Sequence, residues 1–115
     1  MMVGTRLIML SALGLMYASH ALAAGDPGRG AAIFNGTCIA CHGSDGSGNI
    51  PGVPDLTGRK GLLSQADAVL LKRMKNGFQS PGSAMAMPPR GGDPALTDAD
   101  LKSVLKYMRK EFQSN

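Results

Sequence analysis

The clearest pattern in the chain lies near its end, where apolar residues recur at helical spacing. The residues of this stripe are Leu101, Val104, Leu105, Met108 and Phe112. Thr97-Asp98-Ala99-Asp100, directly before the stripe, has the residue types of a helix N-cap. Lys and Arg in the last turn complement the helix dipole. The pattern therefore predicts a terminal helix with one buried face.

A helix start is also predicted at Asp26-Pro27, because proline is well accommodated in a first helical turn. We expect this helix to run to Asn35. Gly30, Phe34 and Cys38 recur every four residues and should share one face. Because glycine permits close approach, the face with Gly30 and Phe34 is the expected partner of the terminal helix.

The third predicted helix begins at Ser64-Gln65-Ala66-Asp67, which resembles a capping box. It is expected to end at Gly77. Its cationic residues Lys72, Arg73 and Lys75 predict a solvated face. No segment alternates apolar and polar residues as a half-buried strand does, so the chain is predicted to be all-α.

Two long segments rich in Gly and Pro, residues 43–61 and 78–94, connect the predicted helices. Such lengths are unusual for ordinary connections and favour a role in wrapping a cofactor. Asp45, Ser47 and Asn49 resemble the start of a calcium-binding loop, but the glycine and the closing glutamate of such loops are missing. Neither segment contains a G-K-[ST] phosphate-binding motif.

The first residues have the features of a secretory signal peptide. Arg6 precedes an apolar run over residues 7–17, and Ala21-Leu22-Ala23 matches an A-x-A cleavage site. The run is shorter than the ~20 residues that a membrane span needs. We therefore expect residues 1–23 to be removed after export across the inner membrane. Residues 24–115 would then form one periplasmic domain without a membrane span, and an uncleaved anchor is the alternative.

Export would also change the charge and the histidine content of the chain. Loss of Arg6 reduces the 12 Lys and Arg residues to 11, against 8 Asp and Glu, so the basic pI does not indicate a nucleic-acid partner. Loss of His20 leaves His42 as the single histidine, which excludes catalytic dyads and triads that need two. Aromatic residues are few, so a large apolar cofactor is expected to complete the core.

Cys38-Ile39-Ala40-Cys41-His42 is the most informative motif, because C-x-x-C-H is the attachment sequence of c-type haem. On one helical turn, Cys38 and Cys41 match the distance between the two haem vinyl groups, and each can form a thioether. His42 would then bind the iron as the proximal ligand. A thioredoxin-like site would need a βαβ context, and a zinc site would need more Cys or His ligands. A disulfide between the two cysteines would leave His42 unexplained.

A second iron ligand is expected in segment 78–94, where Met85 and Met87 lie among small residues. Pro88 pushes Met87 toward an extended conformation, so a thioether would be presented on a stiff loop. Since residues two apart on an extended segment point the same way, either methionine could face the iron. The alternative is that both fill gaps in a core.

Taken together, these residues resemble a small bacterial class I cytochrome c over nearly all of residues 24–115, and segment 52–58 resembles that family's loop after the haem site. Segments 86–92 and 96–101 resemble its short cytochrome c-five type. The resemblance implies the class I cytochrome c fold, with three to four helices and long loops wrapped around one covalently bound haem. It implies Met87 as the distal iron ligand. It also implies a hydrogen bond from the Nδ1–H of His42 to the carbonyl of Pro54.

A haem with ligands on both faces has no free coordination site, so one-electron transfer is expected rather than catalysis. We expect a monomeric carrier that docks transiently, at the haem edge, on oxidases, reductases or dehydrogenases. A dedicated cytochrome subunit of such an enzyme is one alternative, and a gas-binding or peroxidase-like haem protein is another. Arg59, Lys60 and Arg90 are expected to form a charged rim at the haem edge that steers encounter, and the alternative is that Arg59 or Lys60 pairs with a haem propionate.

Overall fold

The computed structural model of the chain describes residues 26–113. Its α-helices are α1 (Pro27–Ile33), α2 (Ile39–His42), α3 (Asp67–Asn76) and α4 (Asp98–Phe112). A π-helical turn at Phe34–Cys38 joins α1 to α2, and 3-10 turns occur at Leu62–Ser64 and Pro89–Gly92. In this part of the chain there is no strand, only one isolated antiparallel bridge. The predicted all-α class is confirmed, whereas the predicted signal peptide, residues 1–23, lies outside the described residues.

The first helix begins where the sequence predicts but does not end at Asn35. Asp26 Oδ1 accepts the Gly28 N–H at 2.9 Å, with Pro27 in the first turn. The chain then continues without a break through the π turn into α2. In that turn the Ile39 N–H donates to the Phe34 carbonyl, five residues earlier, in place of the usual four. The helical segment therefore reaches the end of the C-x-x-C-H motif.

Helices α1 and α4 cross at Gly30 with almost no space between their backbones. A Cβ atom on Gly30 would lie 2.0 Å from the Ser103 carbonyl oxygen and 2.9 Å from the Tyr107 Cβ. Phe34 is fully buried beside the crossing, with its ring centroid 5.5 Å from that of Tyr107 and 5.3 Å from that of Phe112. The close approach that the sequence predicts is present, and aromatic packing reinforces it.

Helix α4 has the cap and the buried face that its sequence predicts. Thr97 Oγ1 accepts the Asp100 N–H at 3.1 Å, and Asp100 Oδ2 accepts the Thr97 N–H at 2.9 Å, which completes a capping box. Every residue of the predicted apolar stripe is buried. Arg29 on α1 lies 3.0 Å from Asp100 and joins the cap to the other helix.

The predicted capping box at the start of α3 is wrong. The Ser64 hydroxyl donates to the Gly61 carbonyl at 2.6 Å within the 3-10 turn, because burial of Leu63 fixes the chain there. Helix α3 begins only at Asp67, whose carboxylate pairs with Arg109 on α4 instead of capping a backbone N–H. The neighbouring N-cap residue Ala66 has no side chain that could cap.

The loop after α2 folds back onto the end of that helix. The Gly48 N–H donates to the His42 carbonyl at 2.8 Å, and the Asn49 N–H donates to the Cys41 carbonyl at 2.8 Å. These bonds satisfy carbonyls that a helix end otherwise leaves without partners. The loop thus fixes the direction in which the short helix presents its side chains.

The methionine loop, residues 77–92, connects α3 to the last 3-10 turn. Gly77, with φ 79°, ends α3 as predicted. Phe78 and Met87 then form the isolated bridge, whose two backbone hydrogen bonds are 3.0 and 2.8 Å long. Arg90, in the left-handed region at φ 55°, pairs with Asp98 at 2.6 Å. Among residues 26–113 no helix has both the length and the apolarity needed to cross a membrane.

Candidate functional site

The π turn, α2 and the methionine loop together line an apolar cleft. The cleft is open to solvent and its lining is mostly apolar, as in a site for a large apolar ligand. Buried Leu63, Leu70 and Val104 form part of its wall. The residues that the sequence predicts as thioether sites, iron ligands and the partner of the histidine all line it: Cys38, Cys41, His42, Pro54, Met85 and Met87.

The two cysteines are free thiols that lie half-buried on the same wall of the cleft. Cys38 is also packed against the hydrophobic core. Burial raises the pKa of Cys38 to about 11, with a further contribution from the neighbouring Cys41. The Cys38 thiol is therefore neutral at physiological pH, and the disulfide alternative is not formed in this structure.

His42 lies at the end of α2, one residue beyond the second thiol. Its Nδ1 atom is buried and has no hydrogen-bond partner among the described residues. Burial also lowers the pKa of His42, so the imidazole is neutral and able to act as a ligand. The implied hydrogen bond to the Pro54 carbonyl is not formed in the structure, although Pro54 lines the same cleft.

Four methionines face the cleft: Met74, Met85, Met87 and Met108. Met74 and Met108 are buried parts of the core. Met87 is half-buried, packed against that core and held by the backbone bridge to Phe78. Met85 is 41 % exposed, and Ser83 holds only its backbone, accepting the Met85 N–H at 3.2 Å. The two candidate methionines thus differ clearly in how firmly they are held.

The residues present fit a covalently attached haem. Two thiols on one helical turn, a neutral histidine beside them and an orphaned buried nitrogen are the donor set that haem c requires. The apolar walls suit a large flat aromatic ligand. No cluster of three or more His, Cys, Asp or Glu able to hold a bare metal ion occurs in residues 26–113. In the segment that resembles the start of a calcium-binding loop, the Asp45 carboxylate accepts the Ser47 hydroxyl at 2.7 Å.

The charged residues near the cleft differ from those that the sequence indicates. Arg59 and Lys60 are exposed and do not line the cleft. Arg90 is held by Asp98 and by the Leu96 carbonyl. Arg73, which the sequence places on a solvated face, lines the cleft instead.

The position of Arg73 could have been found from its spacing. Buried Leu70 lies three residues before Arg73, and buried Met74 lies one residue after it. Residues three and four apart share a helix face, so the face with Leu70 also contains Arg73. Lys72 and Lys75 of the same helix are exposed. Because the three cations are close in sequence, they suggest one solvated face, which is wrong for Arg73.

The all-α scaffold and the thiol and histidine wall of the cleft define the class of a c-type cytochrome. Thioether attachment needs two thiols about one helical turn apart, with the histidine immediately after the second. Cys38 at the end of the π turn, with Cys41 and His42 on α2, provides this arrangement.

Comparison with known families agrees with this class. Residues 25–108 match the family described as cytochrome C oxidase, cbb3-type, subunit III. The chain belongs to this family of cytochrome domains and is a small class I c-type cytochrome. It is accordingly a haem-binding electron carrier, with covalently bound haem c and redox proteins as its partners.

Two small cytochromes are among its relatives. Cytochrome c-554(548) of Halomonas halodenitrificans is 35 % identical over 72 residues, which is 63 % of this chain and 81 % of that protein. Cytochrome c-555 of Prosthecochloris aestuarii is 31 % identical over 91 residues, which is 75 % of this chain and 88 % of that protein.

A third relative is a larger protein. The cbb3-type cytochrome c oxidase subunit FixP of Bradyrhizobium sp. is 40 % identical over 84 residues, or 72 % of this chain. The chain spans only 27 % of the length of that subunit.

Proposed function

We propose that the chain is a monomeric periplasmic carrier of single electrons that holds one haem c. Residues 1–23 would be removed on export. Cys38 and Cys41 would form the thioethers, His42 would be the proximal ligand and Met87 the distal ligand. The haem supplies the Fe(II)/Fe(III) chemistry, and the chain binds it, orients it and excludes water from it.

The observation that carries the proposal is the meeting of both sets of expected ligands in one cleft. The thiols, His42 and the two methionines of the loop all line it. Ligands on both sides of the iron would leave no coordination site for oxygen or peroxide, which favours electron transfer over catalysis.

Met87 is the better distal ligand because the fold already holds it in place. Its backbone is fixed by the bridge to Phe78, and its side chain is packed against the core. Met85 is more exposed and would lose more conformational freedom on binding. Pro54 lines the same cleft as His42, and a hydrogen bond from the unpartnered Nδ1–H to its carbonyl would fix the ring orientation.

Replacement of each methionine tests the ligand assignment. Met87→Ala should remove the weak far-red sulfur-to-iron band of the ferric protein and allow carbon monoxide to bind the ferrous protein. Met85→Ala is the matched control and should leave both spectra as in the wild type. Wild-type ferrous protein that binds carbon monoxide readily would favour the gas-binding alternative. Spectral changes in Met85→Ala alone would assign Met85 as the ligand.

A dedicated cytochrome subunit of an oxidase is the second candidate function, and the match to FixP is the observation that favours it. A subunit would remain with its enzyme when membranes are solubilised and the complex is purified. A free carrier would instead be recovered in the periplasmic fraction as a monomer by size-exclusion chromatography.

The docking surface of such a carrier would be the mouth of the cleft. Phe78 and Met85 both line the cleft and are 37 % and 41 % exposed. An apolar centre of this kind suits a small, transient redox interface.

A further inference from the structure

Arg73 is a cation in otherwise apolar surroundings. It is the only Lys, Arg, Asp or Glu among the described residues that line the cleft. It is half-buried, and its guanidinium carbon lies 4.1 Å from the centroid of the Phe78 ring. The ring holds the cation beside the cleft by a cation–π contact.

The guanidinium has no anionic partner in the described part of the chain. No hydrogen bond and no ion pair joins Arg73 to another residue in 26–113. Two other arginines show the contrast, since Arg90 pairs with Asp98 and Arg109 pairs with Asp67. A cation that loses water in an apolar site needs a paired anion to offset the cost.

We propose that Arg73 is the charge partner of a carboxylate of the bound haem, a role that rests on the proposed haem site. A haem propionate is the carboxylate that the cofactor itself brings into the cleft. Guanidinium groups bind carboxylates through two parallel N–H···O bonds, and the low polarity of the walls strengthens the pair. Arg59 and Lys60, which the sequence indicates as alternatives for this role, lie outside the cleft.

The pair has a consequence for the iron. Without Arg73, a propionate charge near the haem would be uncompensated and would stabilise the ferric form, which carries one more positive charge. Arg73 therefore raises the midpoint potential, and it does so through its ion pair with the propionate and not by contact with the iron.

The test compares the midpoint potentials of purified, haem-loaded variants at one low ionic strength. Arg73→Gln removes the charge and should lower the potential by several times more than Lys72→Gln. Lys72→Gln is the matched control, because it removes a neighbouring charge of the same helix that does not line the cleft. Arg73→Lys retains the charge and should recover most of the lost potential, whereas a purely structural role would alter thermal stability but not the potential.

Arg73→Met provides a second neutral variant if Arg73→Gln does not fold. If no carboxylate of the haem pairs with Arg73, Arg73→Met should have the midpoint potential of the wild type, and that result would overturn the proposal. Equal potentials for Arg73→Gln and Lys72→Gln would overturn it as well. Failure of both neutral variants to incorporate haem during maturation, with normal incorporation in Arg73→Lys, would support the charge requirement. A wild-type protein without a c-type spectrum would contradict the proposed function itself, which separates the two failures.

Discussion

The crossing of α1 with α4 and the cleft are held together in different ways. At the crossing, Gly30 brings two backbones into contact and Phe34 is fully enclosed by other side chains. Around the cleft, the methionine loop is closed on itself by its two-bond bridge and is joined to α4 through the side chain of Arg90, yet its large side chains Phe78 and Met85 remain partly exposed. The crossing is complete from the chain's own residues, whereas the cleft leaves apolar side chains partly uncovered.

This difference indicates that folding and cofactor binding are coupled on one side of the molecule only. A small domain buries a modest fraction of its surface, so a large apolar cofactor between the walls would add much of the missing burial. The crossing would position α2, and the haem would then fix the methionine loop.

The largest effect is expected when the haem cannot be attached. The double variant Cys38→Ala, Cys41→Ala should contain no covalent haem and should lose cooperative thermal unfolding, because the cleft walls then have no shared partner. Haem staining of a denaturing gel and circular dichroism would measure both effects. Ser44→Ala, an exposed neighbour, is the control. Cooperative unfolding of the double variant at the wild-type temperature would contradict the coupling.

The crossing can be broken without touching the cleft. Gly30→Ala places a Cβ 2.0 Å from the Ser103 carbonyl oxygen, so α1 and α4 must separate, at a cost of about 3 kcal/mol. Gly36→Ala is the matched control, since a Cβ there meets nothing within 4 Å. Chemical denaturation of the haem-loaded proteins measures the free energies of unfolding. Equal stability of the two variants would show that the crossing is looser than described.

The cap of α4 offers a smaller perturbation of the same region. Thr97→Ala removes the side chain that accepts the Asp100 N–H and should reduce stability by about 1 kcal/mol. Thr97→Ser retains the hydroxyl and should be close to the wild type in thermal melting. If Thr97→Ser loses as much stability as Thr97→Ala, the loss is due to the threonine methyl group and not to the cap.

The smallest effect is expected from acid. Hydrogen bonds from Arg90 and Lys75 lower the pKa of Asp98, and those from the Thr97 N–H and Arg29 lower the pKa of Asp100, relative to the ordinary value of 3.8. Because the folded values lie below the unfolded ones, both carboxylates stabilise the protein above about pH 4. That contribution is lost as the pH falls further.

Melting temperatures of the haem-loaded protein between pH 6 and pH 2 would show this decline. Asp98→Asn and Asp100→Asn should each make the decline shallower. Glu111→Gln, on the exposed side of α4, should not change its slope. A slope unchanged in both aspartate variants would assign the acid sensitivity to other groups.

The sequence predicts the helix ends well where one local contact determines them. Asp26 and Thr97 cap their helices as predicted, because each acts on residues two or three positions away. The prediction at Ser64 is wrong, since burial of Leu63 draws its backbone into a 3-10 turn. The C-x-x-C-H motif predicts the thiols and His42, and the family resemblance predicts Met87. The spacing of Arg73 from Leu70 indicates its helix face, but that this face borders the cleft depends on how α3 packs.

The π turn at Phe34–Cys38 also sets the direction of the attachment helix. A turn of this kind holds one residue more than a regular α-helical turn, so every later side chain takes the direction that its predecessor would otherwise have had. Cys41 and His42 lie after the turn, whereas Gly30 and Phe34 lie at or before its start. One extra backbone residue therefore rotates the end of the motif relative to the face that packs on α4, and a single-residue insertion or deletion within residues 34–38 would turn it to another direction.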